Sequence, residues 1–283
     1  MSAELNIKQS LVSADWLAKN IDAENLVILD ATMPKVTWEK NTFEDKDIQI
    51  PNARYLDIKN VFSDTSAAFP NTMITGKKFQ EQARLLGINK DSAIVVYDTI
   101  GIYTSPRVWW MFKAMGHNNI AVLDGGLPEW IQKGFPTEEG KSPNISRGDF
   151  TANYDEHFFS DNNKILNLLN DKNSTILDAR SYDRFMGLVD EPREGLRGGH
   201  IPNSKNLPYS NLLVDGKLKN NDLQKIFKEF VPENDQVIFT CGSGITACIL
   251  ALGAEMAGID NLSVYDGSWT EWGSLHQLPI QKK

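Results

Sequence analysis

The chain repeats its own pattern from one half to the other, and this repeat limits the folds open to it. Val27-Ile28-Leu29-Asp30-Ala31 returns as Thr175-Ile176-Leu177-Asp178-Ala179, and Ile50-Pro51-Asn52-Ala53 returns as Ile201-Pro202-Asn203-Ser204. Further on, Ala93-Ile94-Val95-Val96-Tyr97-Asp98 returns as Gln236-Val237-Ile238-Phe239-Thr240-Cys241. Asp124-Gly125-Gly126-Leu127-Pro128-Glu129-Trp130 returns as Asp266-Gly267-Ser268-Trp269-Thr270-Glu271-Trp272. The motifs keep one order in both halves, as a duplicated structural unit does. At 283 residues the chain is long for one ordinary α/β core and suits two.

Each half reads as α/β. Val27 to Ala31, Ala93 to Asp98 and Ile120 to Asp124 are short, apolar and rich in β-branched residues, the pattern of buried parallel strands. Helical spacing separates them. One helix is expected from near Thr75, with Phe79, Ala83 and Leu86 on one face and Gly87 as its stop. Another starts at Ser105-Pro106 and runs to Gly116, and its counterpart runs from about Thr246 to Ala257. The stretch from Gly140 to Asn153, with Lys141, Ser142, Pro143, Asn144 and Gly148, has no periodicity and reads as a linker. The expected organisation is a first domain over 1–140, a linker over 141–155 and a second domain over 156–283.

Composition narrows the function. A net charge of −8 repels phosphate backbones, so no nucleic acid partner is expected. The two cysteines, Cys241 and Cys248, share one short stretch, which rules out a disulfide framework. His117, His157, His200 and His276 show no metal-ligand spacing, no CxxC or HExxH occurs, and no cofactor is implied. No apolar run approaches the roughly 20 residues of a membrane span. The opening stretch has no basic region ahead of an apolar one, so a cytoplasmic location with reduced thiols is expected.

The chemistry concentrates after the strand Val237 to Thr240. Cys241-Gly242-Ser243-Gly244-Ile245-Thr246 leads directly into the helical run from Ala247. The glycines let the loop curl, a curled loop turns successive N–H groups inward as an anion nest, and the helix adds the positive end of its dipole. Both effects stabilise a thiolate, and equally a persulfide, at Cys241. The competing reading of Cys241 as a buried structural thiol is weakened by this loop, whereas Cys248, inside an apolar helix, reads as packing. A Cys-x5-Arg phosphatase would need arginine where Ala247 stands. A G-x-S-x-G elbow around Ser243 would need glycine where Cys241 stands. Sulfur transfer needs only the cysteine, the nest and a substrate grip.

The duplicated domain and the CGSGIT loop resemble the two-domain rhodanese superfamily, and within it the bacterial 3-mercaptopyruvate branch. The likeness covers nearly the whole chain. It rests on that loop, Gly199-His200-Ile201-Pro202, Asp178-Ala179-Arg180 and the closing Tyr265-Asp266-Gly267-Ser268-Trp269-Thr270-Glu271-Trp272. The resemblance implies two tandem rhodanese-like domains, each a mainly parallel sheet with helices on both faces, of which only the second is catalytic. Asp98 stands at the matching position of the first half, where a carboxylate is expected to be a poor guest in an anion nest.

The resemblance also assigns roles. It makes Cys241 and Ser243 catalytic, with Gly242, Gly244, Ile245 and Thr246 as the substrate-facing loop. Its substrate-gripping arginine pair falls on Arg184 and Arg193, with Arg180 and Arg197 as weaker candidates. On residues alone this segment also reads as a solvated loop, with Asp183, Asp190, Glu191 and Glu194 as ion-pair partners. Neutral Gly242 and Ser243 resemble the mercaptopyruvate type rather than the basic loop of thiosulfate-preferring members. Some members are proposed to activate the serine through an Asp–His pair of the first domain. The histidine of that domain's HIPGA motif is here Gln49, and His200 of the second motif reads as structural. The implied activity takes sulfane sulfur from 3-mercaptopyruvate to a thiol, thioredoxin-like or cyanide acceptor and releases pyruvate. A thiosulfate sulfurtransferase, a persulfide carrier of little turnover and a hydrolase using Ser243 are the rivals.

Overall fold

The computed structural model describes residues 4–35, 48–140, 145–232 and 236–282. Linker residues Lys141, Ser142, Pro143 and Asn144 lie outside the described residues. The chain divides into two units. The first comprises Met1–Ser63, Ile74–Asp155 and Asp215–Lys217, and the second comprises Asp64–Met73, Glu156–Val214 and Leu218–Lys283.

The first unit is built on a five-stranded sheet of β1 (Leu11–Val12), β2 (Leu26–Asp30), β3 (Arg54–Tyr55), β4 (Ala93–Tyr97) and β5 (Ile120–Leu123). Its spatial order is β1-β5-β4-β2-β3, with every pairing parallel. Helices α1 (Ala14–Asn20), α2 (Gly76–Leu85) and α3 (Ser105–Ala114) lie between strands of the sheet, and α4 (Gly126–Gln132) follows its last strand. The second unit has β6 (Phe159–Ser160), β7 (Ser174–Asp178), β8 (Lys205–Asn206), β9 (Gln236–Thr240) and β10 (Leu262–Tyr265), again all parallel, in the order β6-β10-β9-β7-β8. Its helices are α5 (Asn162–Leu168), α6 (Tyr182–Met186), α7 (Leu223–Lys228), α8 (Ala247–Met256) and α9 (Ser268–Ser274). Strand for strand, the two sheets have the same order.

The sequence explains why these segments take these forms. Every residue of β4 is buried, as a parallel strand covered on both faces requires. Thr75 caps α2 by accepting the Lys78 N–H, Phe79 and Ala83 face inward, and Gly87 leaves the helix at a φ of +67°. In the first core Phe79 meets Phe62 and Phe112 edge-on, at centroid distances of 5.2 and 4.9 Å. Residues Ala247 to Ala254 of α8 are all buried, as befits a helix apolar around its whole circumference. The core of the second unit gathers Ile176, Ile238, Tyr265, Trp269 and Trp272, each large side chain contributing roughly 1.5–3 kcal/mol of burial. Asn52 and Asn203 adopt φ values of +61° and +62°, so asparagine serves both turns.

At the carboxyl edge of the second sheet, Asp178 pairs with Thr240, and Cys241 follows at once. That edge is where open parallel sheets bind ligands. Among the described residues no helix is long and apolar enough to cross a membrane.

Candidate active site

Cys241 and Cys248 are both buried and neither is in a disulfide, and Cys241 is 1% exposed. The loop between them is held from beneath by the start of α9. The Trp269 N–H donates to the Cys241 carbonyl at 3.0 Å, and the Thr270 N–H and hydroxyl donate to the Gly242 carbonyl at 2.8 and 2.6 Å. Ser268 sits inside the curl. Its Oγ accepts the N–H groups of Cys241 and Gly244, each at 3.1 Å, and donates to the Tyr265 carbonyl at 2.8 Å. The same oxygen lies 4.0 Å from Cys241 Sγ. Ser268 adopts a φ of +48°, a conformation uncommon for a residue with a side chain and held here by those three bonds. Gly244, at +74°, makes the turn that brings Thr246 to the cap of α8. Gly244 and Ile245 are buried, with Ile245 5% exposed. Cys248 donates to the Gly244 carbonyl at 3.3 Å from within α8 and packs in the interior.

The first unit shows what such a loop holds. The Asp98 carboxylate accepts the N–H groups of Ile100, Tyr103, Thr104 and Ser105 at 2.9–3.0 Å, and the Ser105 hydroxyl at 2.7 Å. This corrects the expectation that a carboxylate is a poor guest there. An anion with four inward N–H donors is well satisfied, because charge-assisted bonds repay its lost hydration. Gly101 takes a φ of +112°, and Thr104 caps α3 from the αR region as Thr246 caps α8. The first-unit loop therefore carries its own anion on a side chain, at the position where the second loop carries a thiol.

Both predicted arginines reach the loop. A Cβ built on Gly242 would lie 3.2 Å from Arg184 Nη2 and 3.9 Å from Arg193 Nη1, so glycine leaves the two guanidinium groups room beside the cysteine. Arg184 is aimed by Glu191, whose side chain is 1% exposed and also pairs with Arg180 at 2.8 Å. Glu191 is thus a buried positioning carboxylate rather than one of a solvated set. Arg180 is buried, chelated by Asp178 and stacked 4.2 Å from the Trp269 ring. Burial opposes its charge, but Asp178 and Glu191 outweigh that and hold its pKa above the ordinary value. Arg197 is spent on the carbonyls of Trp272, Gly273, Leu275 and Leu278. These two weaker candidates serve the scaffold.

Ser243 has two side-chain partners in the second unit. Asn71 Nδ2 donates to its Oγ at 3.0 Å and to its carbonyl at 3.1 Å, and Arg193 Nη2 donates to its Oγ at 3.3 Å. Gln49 instead binds the Ala53 carbonyl and Glu138, closing the Asn52 turn. His200 is structural as expected: Nδ1 donates to the Phe185 carbonyl at 2.8 Å and the ring stacks on Phe185 at 3.8 Å. Asn71 and Ser268 have no assigned role in the sequence, although Ser268 stands in a repeated motif, and Glu191 reads there only as an ion-pair partner in a solvated loop.

Parallel-sheet units that present a thiol on a glycine loop at a helix N-terminus, beside two guanidinium groups, belong to the enzymes that transfer groups through cysteine sulfur. Comparison with known proteins agrees. The model of the rhodanese-like domain matches twice, over residues 13–133 and 161–275. A 3-mercaptopyruvate sulfurtransferase of Mus musculus is 36% identical over 276 residues, covering 93% of this chain and 92% of that protein. A mitochondrial thiosulfate/3-mercaptopyruvate sulfurtransferase of Arabidopsis thaliana is 33% identical over 304 residues, covering 99% and 80%. The crystal structure of a 3-mercaptopyruvate sulfotransferase with the rhodanese fold, from Escherichia coli, superposes with a TM-score of 0.82 at 32% identity, covering 93% of this chain and 99% of that one. The chain belongs to the rhodanese-like family of sulfurtransferases.

Proposed function

We propose that this enzyme takes sulfur from 3-mercaptopyruvate onto Cys241 and hands it to a thiol, thioredoxin-like or cyanide acceptor. The observation that carries this reading is the approach of Arg184 and Arg193 to Gly242, beside a loop with no charge of its own. Two guanidinium forks suit the carboxylate and carbonyl of a keto acid. The Cys241 thiolate attacks the substrate sulfur, and an S–S bond forms as the C–S bond breaks. The released electron pair becomes the enolate of pyruvate, which then takes a proton at carbon. The persulfide left on Cys241 is an anion, and N–H groups of the loop from Gly242 to Ala247 suit it as the first-unit loop suits Asp98. In this reading 156–283 is the catalytic half, 1–140 its degenerate partner, and the cytoplasm a compartment that keeps the thiol reduced.

The test compares donors. The wild type should form pyruvate from 3-mercaptopyruvate with a higher kcat/KM than it forms thiocyanate from thiosulfate and cyanide. Arg184→Ala should lower the keto-acid reaction by on the order of a hundred-fold and the thiosulfate reaction by less. Cys241→Ser should lose the mass gain of one sulfur atom, whereas Cys248→Ser should keep it. A sulfur that still loads onto Cys248 in the first variant overturns the cysteine assignment, and preference for thiosulfate overturns the donor.

A further inference from the structure

Ser243 is held by donors alone, and this decides which way its own proton can go. Asn71 Nδ2 stands 3.1 Å from the Ser243 carbonyl and 3.0 Å from Oγ. A carbonyl only accepts, so the group facing it must be the amide NH2, and its second hydrogen goes to Oγ. Arg193 Nη2, also only a donor, approaches Oγ at 3.3 Å. The two lone pairs of the hydroxyl are thereby occupied, and its proton points at neither partner. Asn71 and Ser243 are each 7% exposed, so water competes little for these bonds. Asn71 adopts a φ of +62°, which aims its short side chain and which asparagine tolerates better than most residues.

We propose that Asn71 is a positioning residue that, with Arg193, fixes Ser243 as a hydrogen-bond donor to the substrate's keto oxygen. The inference rests on the keto-acid reading above. As the C–S bond breaks, negative charge collects on that oxygen in the enolate, and a donor already oriented toward it stabilises the transition state more than the ground state. Ser243 keeps its proton throughout: neither Asn71 nor Arg193 is a base, so the serine acts as a donor and no alkoxide forms.

The experiment uses Asn71→Gly, which removes the amide without straining a left-handed backbone, Asn71→Asp, Ser243→Ala and the double variant Asn71→Gly/Ser243→Ala. Pyruvate release from 3-mercaptopyruvate is measured beside persulfide loading from inorganic polysulfide, a donor with no carbonyl. Asn71→Gly should lower kcat for pyruvate release about ten-fold or more, with a smaller change in KM, so that the ratio to polysulfide loading falls by a similar factor. Asn71→Asp, which turns the partner into an acceptor that captures the Ser243 proton, should fall at least as far. The double variant should match Ser243→Ala, because Asn71 acts only through the serine. Equal losses with both donors, multiplied losses in the double variant, or wild-type turnover in Asn71→Asp would each overturn the assignment. A wild type that releases no pyruvate would instead sink the keto-acid reading itself, and the inference with it.

Discussion

Ser268 Oγ accepts the N–H of Cys241 at 3.1 Å, across 27 residues of chain. The same oxygen takes the Gly244 N–H, so one buried hydroxyl fixes the loop at two points. Ser268→Ala would remove the acceptor that two buried N–H groups share and the hydrogen given to the Tyr265 carbonyl. We predict a stability loss of about 1–3 kcal/mol and a fall in the rate of persulfide formation. Thermal unfolding and single-turnover sulfur loading check both parts, and an unchanged loading rate would show that the loop keeps its form without Ser268.

Glu191 bridges Arg180 and Arg184 from a side chain that is 1% exposed. Glu191→Gln removes the negative charge and leaves a buried guanidinium short of a partner. The expected cost is about 3–5 kcal/mol, together with a higher KM for the keto acid as Arg184 loses its aim. Denaturant unfolding gives the first quantity and steady-state kinetics the second.

The first unit offers a control for the nest. Asp98→Ala would strand the N–H groups of Ile100, Tyr103, Thr104 and Ser105, and should destabilise the protein by about 3 kcal/mol or more. Asp98→Asn keeps an acceptor oxygen and should fall between that variant and the wild type. Equal stability of all three in calorimetry would argue that the loop N–H groups find other partners.

His200 predicts a pH dependence. Burial, ahead of the opposing hydrogen bond to Phe185, holds its pKa below the ordinary 6.5. As pH falls the unfolded chain binds the proton first, so the stability tied to neutral His200 is complete above about 6.5 and drains away as pH drops through the folded value. Unfolding midpoints between about pH 8 and pH 5 should fall more steeply for the wild type than for His200→Gln. His117 is shifted in the same direction by burial and remains in both proteins, so the difference isolates His200.

What the sequence determined was whatever neighbours along the chain can encode. The repeat predicted two units, and both sheets have one strand order. The run from Val237 to Thr246 predicted strand, loop and helix, and so placed Cys241 at a sheet edge before any contact was known. Family spacing picked out Arg184 and Arg193, and both reach the loop. Tertiary structure alone decided how these groups are held and which way they point. Asn71 meets Ser243 across 172 residues, and Ser268 meets Gly244 across 24. Each is a small polar side chain, ordinary in composition, that gains its meaning from one short contact inside a buried site. Asp98 makes the same case in reverse. Sequence suggested an anion misplaced in a nest, and the folded backbone supplied the four donors that make it fit. Periodicity and motif reveal which groups are present, but the direction of a hydrogen bond depends on where the fold puts the other atom.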